Sequence, residues 1–178
     1  MSRQRIAPPG ADEYAPYYSG YVALAGEHEP LELLDGQRDV LRRMCSTLTE
    51  EQALARYAPG KWSIKEVLGH LADTERVFSY RLFRIARGDA IPLAGFDQNA
   101  YVEAARSDER SLSELLEEFV SVRTALIRLV EGLSAEELAR MGVASEASVS
   151  ARALVYMAAG HVAHHLKILH DRYGVAIQ

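Results

Sequence analysis

The chain has 178 residues, of which 48% are hydrophobic and 25% are charged, and it carries a net charge of −5. These values are typical of one soluble globular domain, so we expect residues 1–178 to fold as a single unit. A negative chain is poorly suited to binding the phosphates of nucleic acid, and no apolar run reaches the length of a membrane span. The only cysteine is Cys45, which excludes an intramolecular disulfide and favours a cytoplasmic location.

The first 26 residues predict an irregular lead-in, since they contain three prolines and three glycines. Their four tyrosines can pack against other side chains, so we expect this lead-in to lie on the body of the protein. A first long helix is predicted from about Pro30 to Leu48, where apolar residues recur at helical spacing. A capping-box pattern over residues 49–52 then predicts a short helix.

The second long helix has the clearest start signal, because Ser63 and Glu66 form a capping box after the apolar Trp62. Its apolar stripe ends near Gly88. Four arginines on or just after it are interpreted as a solvated face: Arg76, Arg81, Arg84 and Arg87. Residues 89–110 predict a long connection, and its polar segment offers candidates for the rim or lid of a pocket, namely Asp97, Gln98, Asn99 and Tyr101.

A third long helix is predicted from Ser111 to Gly132, a second short helix from Ser134, and a fourth long helix from Ala151 to Tyr173. The alternation of β-branched residues that marks strands is missing. The sequence therefore predicts an all-α fold, a four-helix bundle of the up-down-down-up type with short connecting helices.

The two halves of the chain resemble each other. The phrase "LTEEQALARY" (48–57) parallels "LSAEELARM" (133–141), and "GHLADTE" (69–75) parallels "GHVAHHL" (160–166). Each half is then a long helix, a short capped helix and a second long helix. This order predicts a pseudo-twofold internal repeat in which His70 and His161 occupy related positions.

Four of the six histidines lie in "AAGHVAHHLKILH" (158–170). His161 and His165 are four residues apart, so they share one helix face, and that face also carries the apolar stripe. His164 lies at the margin of the face, and His170 points outward to solvent. A pair at this spacing can present two nitrogens to one metal ion, although two hydrogen-bonded core histidines would account for the pair as well.

His70 favours the metal interpretation. It flanks the apolar stripe of the second long helix beside Thr74, and the internal repeat places it at the depth of His161. Facing helices of a bundle bring such side chains together across the core. We therefore predict a metal site on His70, His161 and His165, with positions open for water or substrate.

The phrases "KWSIKEVLGHLADTE" (61–75) and "AAGHVAHHLKIL" (158–169) resemble the two signature helices of the DinB-like superfamily, which includes YfiT-like metal hydrolases and thiol-dependent S-transferases. The resemblance covers roughly residues 30–172. It implies a four-helix bundle that holds a divalent ion, commonly zinc or nickel, on three histidines. By this resemblance, the three ligand positions of the family correspond to His70, His161 and His165. The resemblance also implies a low-molecular-weight thiol as a cosubstrate.

The function predicted from the residues and the resemblance is that of a metal-dependent enzyme, with a thiol-dependent S-transferase as the first choice. A metal-dependent hydrolase is the alternative, and a non-catalytic stress protein that binds metal or a small molecule is the third. We expect a small-molecule substrate, no nucleic acid or membrane partner, and a homodimer. Glu75 is the candidate catalytic base or metal-supporting residue, although it would equally serve as a structural partner of a buried arginine or tyrosine. Gln37 either lines the pocket or forms a hydrogen bond in the core.

Overall fold

The computed structural model describes residues 5–26 and 28–177, so the first four residues of the predicted lead-in lie outside it. Seven α-helices lie in this part of the chain: α1 (Ser19–Ala25), α2 (Pro30–Ser46), α3 (Ile64–Ala86), α4 (Gln98–Ala105), α5 (Leu112–Glu131), α6 (Ala135–Ala139) and α7 (Ala151–Tyr173). None of these helices combines the length and the apolar character that crossing a bilayer requires.

The four long helices α2, α3, α5 and α7 form a bundle, and the predicted four-helix architecture is confirmed. Both α5 and α7 pack against α2 and also against α3. The consecutive helices α2 and α3 therefore occupy opposite corners of the bundle. This arrangement brings α3 alongside α7, the two helices that carry the predicted metal ligands.

The predicted helix starts at Ser63, Ser111 and Ser134 are also confirmed. In each case the serine hydroxyl accepts the backbone N–H three residues later, and the glutamate at that position accepts the backbone N–H of the serine. Two otherwise unpaired donors are satisfied at each start, and a cap of this kind contributes about 1 kcal/mol. These caps fix where α3, α5 and α6 begin.

Two clusters of buried apolar side chains fill the bundle. In α3 one cluster draws on residues 64–72 and the other on residues 78–86. Buried polar side chains lie between them in the sequence of each helix, with Glu75 on α3, Arg123 on α5 and His161 on α7. The bundle therefore has a polar layer near its middle.

A small hairpin corrects the prediction of a fold without strands. Strands β1 (Met141–Ala144) and β2 (Ala147–Ser150) pair antiparallel. Leu93 forms an isolated parallel bridge with Ala144 of β1. Ser145 and Glu146 form the two-residue turn with φ values of 50° and 65°. Such turns usually contain Gly or Asn, so the sequence carried no turn signal here.

The connections also differ from the predictions. The short helix expected after residue 49 is a single 3-10 turn over Gln52–Leu54. The long connection 89–110 contains α4, which begins where the Asp97 carboxylate accepts the N–H groups of Asn99 and Ala100. The lead-in expected to be irregular contains a 3-10 turn over Pro16–Tyr18, which continues into α1.

The N-terminal segment lies along α7. Glu13 pairs with Arg152, and the Glu13 carbonyl oxygen accepts the Ser150 N–H at 2.9 Å. Farther along, α1 contacts α7 at Gly160, where an added Cβ would lie only 1.8 Å from the Tyr21 carbonyl oxygen. Glycine at position 160 is thus required for this close approach of the two backbones.

Candidate metal centre

The structure brings the three predicted ligands together. His70 on α3 and His161 and His165 on α7 are buried, and one ring nitrogen from each lies within 4.8 Å of the others. The Nε2 atoms of His70 and His161 are 2.9 Å apart. His161 and His165 share one face of α7 because they are four residues apart, and the packing of α3 against α7 supplies His70.

These residues fit a divalent cation. Two nitrogens bound at 2.0–2.1 Å to one ion lie about 2.9–3.4 Å apart, and the His70–His161 distance of 2.9 Å falls in that range. A hydrogen bond between the two rings has the same length, but it leaves the third ring unexplained. Nδ1 of His165 is buried and has no hydrogen-bond partner in the described part of the chain. Buried polar atoms without a partner are rare, so this atom points to a bound species.

Burial also prepares the rings for metal binding. It lowers the pKa of His70 to about 4, and the nearby His164 lowers that pKa further. The pKa values of His161 and His165 also lie well below the usual value for histidine, and burial is the largest cause in both cases. The three imidazoles are therefore neutral at pH 7, and a neutral imidazole is the form that binds a metal.

Neighbouring side chains fix the orientation of the three rings. Trp62 packs on His70, with ring centroids 4.7 Å apart, and the Thr74 hydroxyl lies 3.4 Å from His70 Nδ1. Tyr21 from α1 packs edge-on against His161 at 5.4 Å. Such supporting contacts hold ligand rings in place around a metal.

The other two histidines of the cluster lie outside the centre. His164 is half-buried and packs against Tyr21, with ring centroids 5.3 Å apart. His170 is exposed, and its Nδ1 lies 3.1 Å from the Val175 carbonyl oxygen just beyond the end of α7. Neither belongs to the group of converging nitrogens.

Glu75 lies in a buried ion pair. Its carboxylate accepts two hydrogen bonds from Arg123, and the two side chains are only 1% and 0% exposed. Arg123 also donates to Gln37 Oε1 at 2.7 Å, and Gln37 Nε2 donates to the Ala159 carbonyl oxygen at 2.7 Å. These contacts connect all four long helices and support the structural alternative for both Glu75 and Gln37. The catalytic role of Glu75 stays a prediction.

Arg123 was missed by the sequence reasoning. It lies on the buried stripe of α5, four residues after Phe119, and its guanidinium stacks on the Phe119 ring at 5.0 Å. A charged residue in the middle of an apolar stripe was the available signal.

A cavity of about 550 Å³ opens at His161. It is lined by tyrosines of the N-terminal segment, by Thr74 and Phe78 of α3, and by the segment 95–99. Three of the four predicted rim residues, Asp97, Gln98 and Asn99, therefore line a cavity at the histidine centre. Tyr101 lines a neighbouring surface groove and packs on Phe96.

A second cavity, of about 250 Å³, opens at His165. Its lining includes Trp62, Lys61 and Tyr173. Asn99 lines both cavities, so the start of α4 lies between their openings. The histidine centre is thus open to two cavities, one at His161 and the other at His165.

Arg81 corrects the interpretation of the four arginines as a solvated face. It is 2% exposed, and its Nη2 donates to the Ala94 carbonyl oxygen and to the Ser145 hydroxyl, both at 2.8 Å. The guanidinium also lies over the Phe96 ring. Arg81 therefore holds the hairpin turn and the segment before α4 against α3, next to the large cavity.

The sequence model of the DinB superfamily matches residues 33–169, and the chain belongs to this superfamily. No curated protein sequence matches the chain.

Two solved structures share the fold. YfiT from Bacillus subtilis, described as a "probable metal-dependent hydrolase with an unusual four-helix bundle topology", matches with a TM-score of 0.74 and 18% identity, over 92% of this chain and 95% of that one. The mycothiol-dependent maleylpyruvate isomerase matches with a TM-score of 0.68 and 14% identity, over 84% of this chain and 61% of that chain. The chain thus spans about three fifths of the isomerase. At these identities the likeness establishes the fold, which agrees with the predicted bundle.

Proposed function

We propose that the protein is a metal-dependent enzyme that uses a divalent ion on His70, His161 and His165. The observation that carries this proposal is the convergence of three buried, neutral imidazoles, with an unpartnered Nδ1 on His165, where His161 lines one cavity and His165 lines another. Imidazole ligands suit zinc and nickel among the common divalent ions, and we propose one of these two.

When bound, a divalent ion with three neutral ligands keeps its full charge and lowers the pKa of a thiol or water that reaches it. The protein supplies the surroundings for that chemistry. Trp62 and Tyr21 cover the rings of His70 and His161 and restrict the access of solvent. Burial raises the pKa of Tyr21 to about 12, so its hydroxyl stays protonated at neutral pH and is available as a hydrogen-bond donor.

The reaction we favour is transfer of a low-molecular-weight thiol to a small electrophile. Two cavities that reach the centre through different histidines suit a reaction with two organic substrates. In such a transfer a sulfur–carbon bond forms, the leaving group departs with the bonding electrons, and the thiol proton goes to solvent. The likeness to a mycothiol-dependent isomerase supports a thiol as the cosubstrate.

Hydrolysis is the second candidate, and the likeness to YfiT favours it. Water needs no cavity of its own, so this reaction leaves the cavity at His165 without a role. An assay with a haloaromatic electrophile, with and without added thiols, separates the two reactions. Turnover only with thiol supports the transferase, and thiol-independent turnover supports the hydrolase. Absence of turnover with any thiol or ester would instead favour a non-catalytic binding protein.

Metal analysis of the purified protein tests the site itself. We expect about one divalent ion per chain in the native protein, and less than about a tenth of that in His161→Ala and His165→Ala. His164→Ala and His170→Ala are matched controls, since both histidines lie on α7 outside the centre, and they should keep the ion. A native protein that purifies without metal and binds neither zinc nor nickel on addition would refute the proposal.

A further inference from the structure

The wall of the large cavity that faces α3 comes from the N-terminal segment. Tyr17, Tyr18 and Tyr21 line the cavity from this side, and His161 belongs to the same lining. We propose that residues 16–25 form the substrate-selecting wall of the enzyme, and that this wall takes a neutral substrate with a flat aromatic ring. The chemistry of the substrate rests on the proposed function, whereas binding of the ring does not require turnover.

The aromatic side chains form a continuous surface that leads to the histidine centre. Tyr17 packs edge-to-face on Tyr18 at 5.0 Å, and Tyr18 packs edge-to-face on Phe78 of α3 at 6.4 Å. Phe78 and Tyr21 both contact His161, at 6.0 Å and 5.4 Å. Aromatic rings prefer to meet other rings in such edge-to-face or offset arrangements, so this surface favours a flat ring over a puckered one.

The size of the cavity agrees with this assignment. About 550 Å³ lies in the range of pockets that hold small organic ligands. Phe96 lies in the lining as well, on the segment that leads to α4, and Arg81 holds this segment in place from α3. Aromatic side chains from three separate parts of the chain therefore line one space.

The wall is firmly docked, as a selecting surface must be. Gly160 lets the backbone of Tyr21 contact α7 directly, next to His161 in the chain. The ion pair between Glu13 and Arg152 holds the preceding residues at the start of α7. Residues 16–25 are therefore anchored to α7 beside the histidine centre.

The polar groups in the lining favour a neutral ligand. Asp97 is the acidic residue of the lining, and its carboxylate accepts the N–H groups of Asn99 and Ala100 at the start of α4. The Gln98 and Asn99 side chains and the tyrosine hydroxyls offer uncharged hydrogen-bonding groups to a substituent on the ring. Away from the ion proposed on His161, this lining carries no cationic side chain from the described residues that would hold a carboxylate on the ring, so the wall itself favours an uncharged ring.

The wall also lies outside the part of the chain that defines the family. The superfamily model begins at residue 33, and the wall ends at residue 25. The histidine centre and the wall are thus separate elements of the sequence.

The test compares two probes that differ mainly in the shape of the ring, nitrobenzene and nitrocyclohexane. Binding to the native protein as purified is measured by titration calorimetry and by ligand-observed NMR, in the absence of thiol. We expect nitrobenzene to bind about tenfold more tightly than nitrocyclohexane. Tyr18→Leu and Tyr21→Leu should remove most of this preference, and Tyr21→Phe should keep it because the ring remains.

Tyr80→Leu is the matched control, since Tyr80 lies exposed on α3 and does not line the large cavity. It should leave the preference unchanged. If the leucine variants fail to fold, nuclear Overhauser contacts between nitrobenzene and the rings of Tyr18 and Tyr21 in the native protein decide the question. Equal binding of the two probes, or contacts to other residues alone, would overturn the inference.

The outcome is separable from that of the proposed function. Native protein that holds metal and turns over a substrate, but binds both probes equally, refutes only the aromatic wall. Protein that binds nitrobenzene selectively but holds no divalent ion refutes only the metal-dependent enzyme.

Discussion

Two buried polar groups share helix α3 and differ in how completely their hydrogen bonds are satisfied. The Glu75–Arg123 pair connects α3 and α5, and every polar atom that Glu75 presents accepts a hydrogen bond. The histidine centre connects α3 and α7 five residues earlier along α3, and it leaves Nδ1 of His165 without a partner. Both groups are almost fully shielded from water.

This difference separates a structural role from a functional one. A buried polar group whose partners are all supplied by the protein contributes to specifying the fold. A buried polar group that lacks a partner costs stability, so its retention indicates that another species completes it. Sequence position alone does not distinguish the two, since Glu75 and His70 are both polar residues on the buried side of α3.

Metal should stabilise the histidine centre strongly. At a free zinc concentration about a thousandfold above the dissociation constant, we expect the free energy of unfolding to rise by about 4 kcal/mol over that of chelator-treated protein. Chemical denaturation followed by circular dichroism measures this difference. His161→Ala should show no such gain, whereas His164→Ala should behave as the native protein. A gain of equal size in His161→Ala would mean that the ion binds elsewhere.

Breaking the Glu75–Arg123 ion pair should destabilise the fold with or without metal. Glu75→Gln keeps the shape of the side chain but leaves the Arg123 charge buried without compensation, so we expect a loss of about 3 kcal/mol. Urea denaturation of the metal-free protein measures it. In the double variant Glu75→Gln/Arg123→Met most of this loss should be recovered, because no charge remains buried. Full stability of Glu75→Gln combined with loss of turnover would instead assign Glu75 to the chemistry.

Two glycines precede the corresponding histidines of the repeat, and they should respond differently to substitution. An added Cβ at Gly160 meets the backbone of Tyr21, whereas one at Gly69 meets the side-chain hydroxyl of Ser107 at 2.2 Å. The Ser107 hydroxyl can rotate away, and its Cβ, 3.2 Å from the added atom, has to shift by only a few tenths of an ångström, whereas the Tyr21 backbone cannot give way without moving α1. We expect Gly160→Ala to cost about 2 kcal/mol, by displacing α1, and Gly69→Ala to be nearly neutral, since alanine favours the helix. Thermal unfolding of the two variants, side by side, checks this; similar losses would show that α1 adapts.

Much of the bundle could be predicted because its signals are local. Ser63, Ser111 and Ser134 begin helices through contacts within four residues, and apolar spacing identifies the buried faces. The hairpin could not be found in this way. Its turn places Ser145 and Glu146 at positive φ without glycine, and it is held by Arg81 and Leu93, which lie more than fifty residues away in the sequence. Tertiary contacts of this kind leave no local pattern.

The histidine centre shows the same contrast between local sequence signals and tertiary contacts. His161 and His165 share a helix face, and the internal repeat and the family resemblance added His70. Tyr21 was not anticipated as a neighbour of His161, because prolines and glycines around α1 concealed a helix, and because its approach depends on Gly160. The start of α4 could have been predicted, since Asp97 is a strong N-cap residue. Its signal was overlooked because it lies within the long connection predicted for residues 89–110.

The ion pair between Glu13 and Arg152 offers a partly exposed counterpart to the buried Glu75–Arg123 pair. Hydrogen bonding to Arg152 is the largest cause that lowers the pKa of Glu13 from 4.5 to about 2. The unfolded chain therefore binds a proton at Glu13 before the folded chain does. The stability that the pair contributes is present above about pH 4.5 and is lost as the pH falls toward 2. Because Arg152 is 29% exposed, solvent screening limits this contribution to about 1 kcal/mol.

Glu13→Gln removes this titration. Between pH 6 and pH 3 the free energy of unfolding should fall less in this variant than in the native protein, by about 1 kcal/mol. Denaturation curves at the two pH values measure the difference, and Glu103→Gln, on α4 away from Arg152, is the control. If Glu13→Gln shows the same pH dependence as the native protein, the pair contributes nothing to docking of the N-terminal segment. Gly160 and the tyrosine contacts would then have to hold α1 at the histidine centre by themselves.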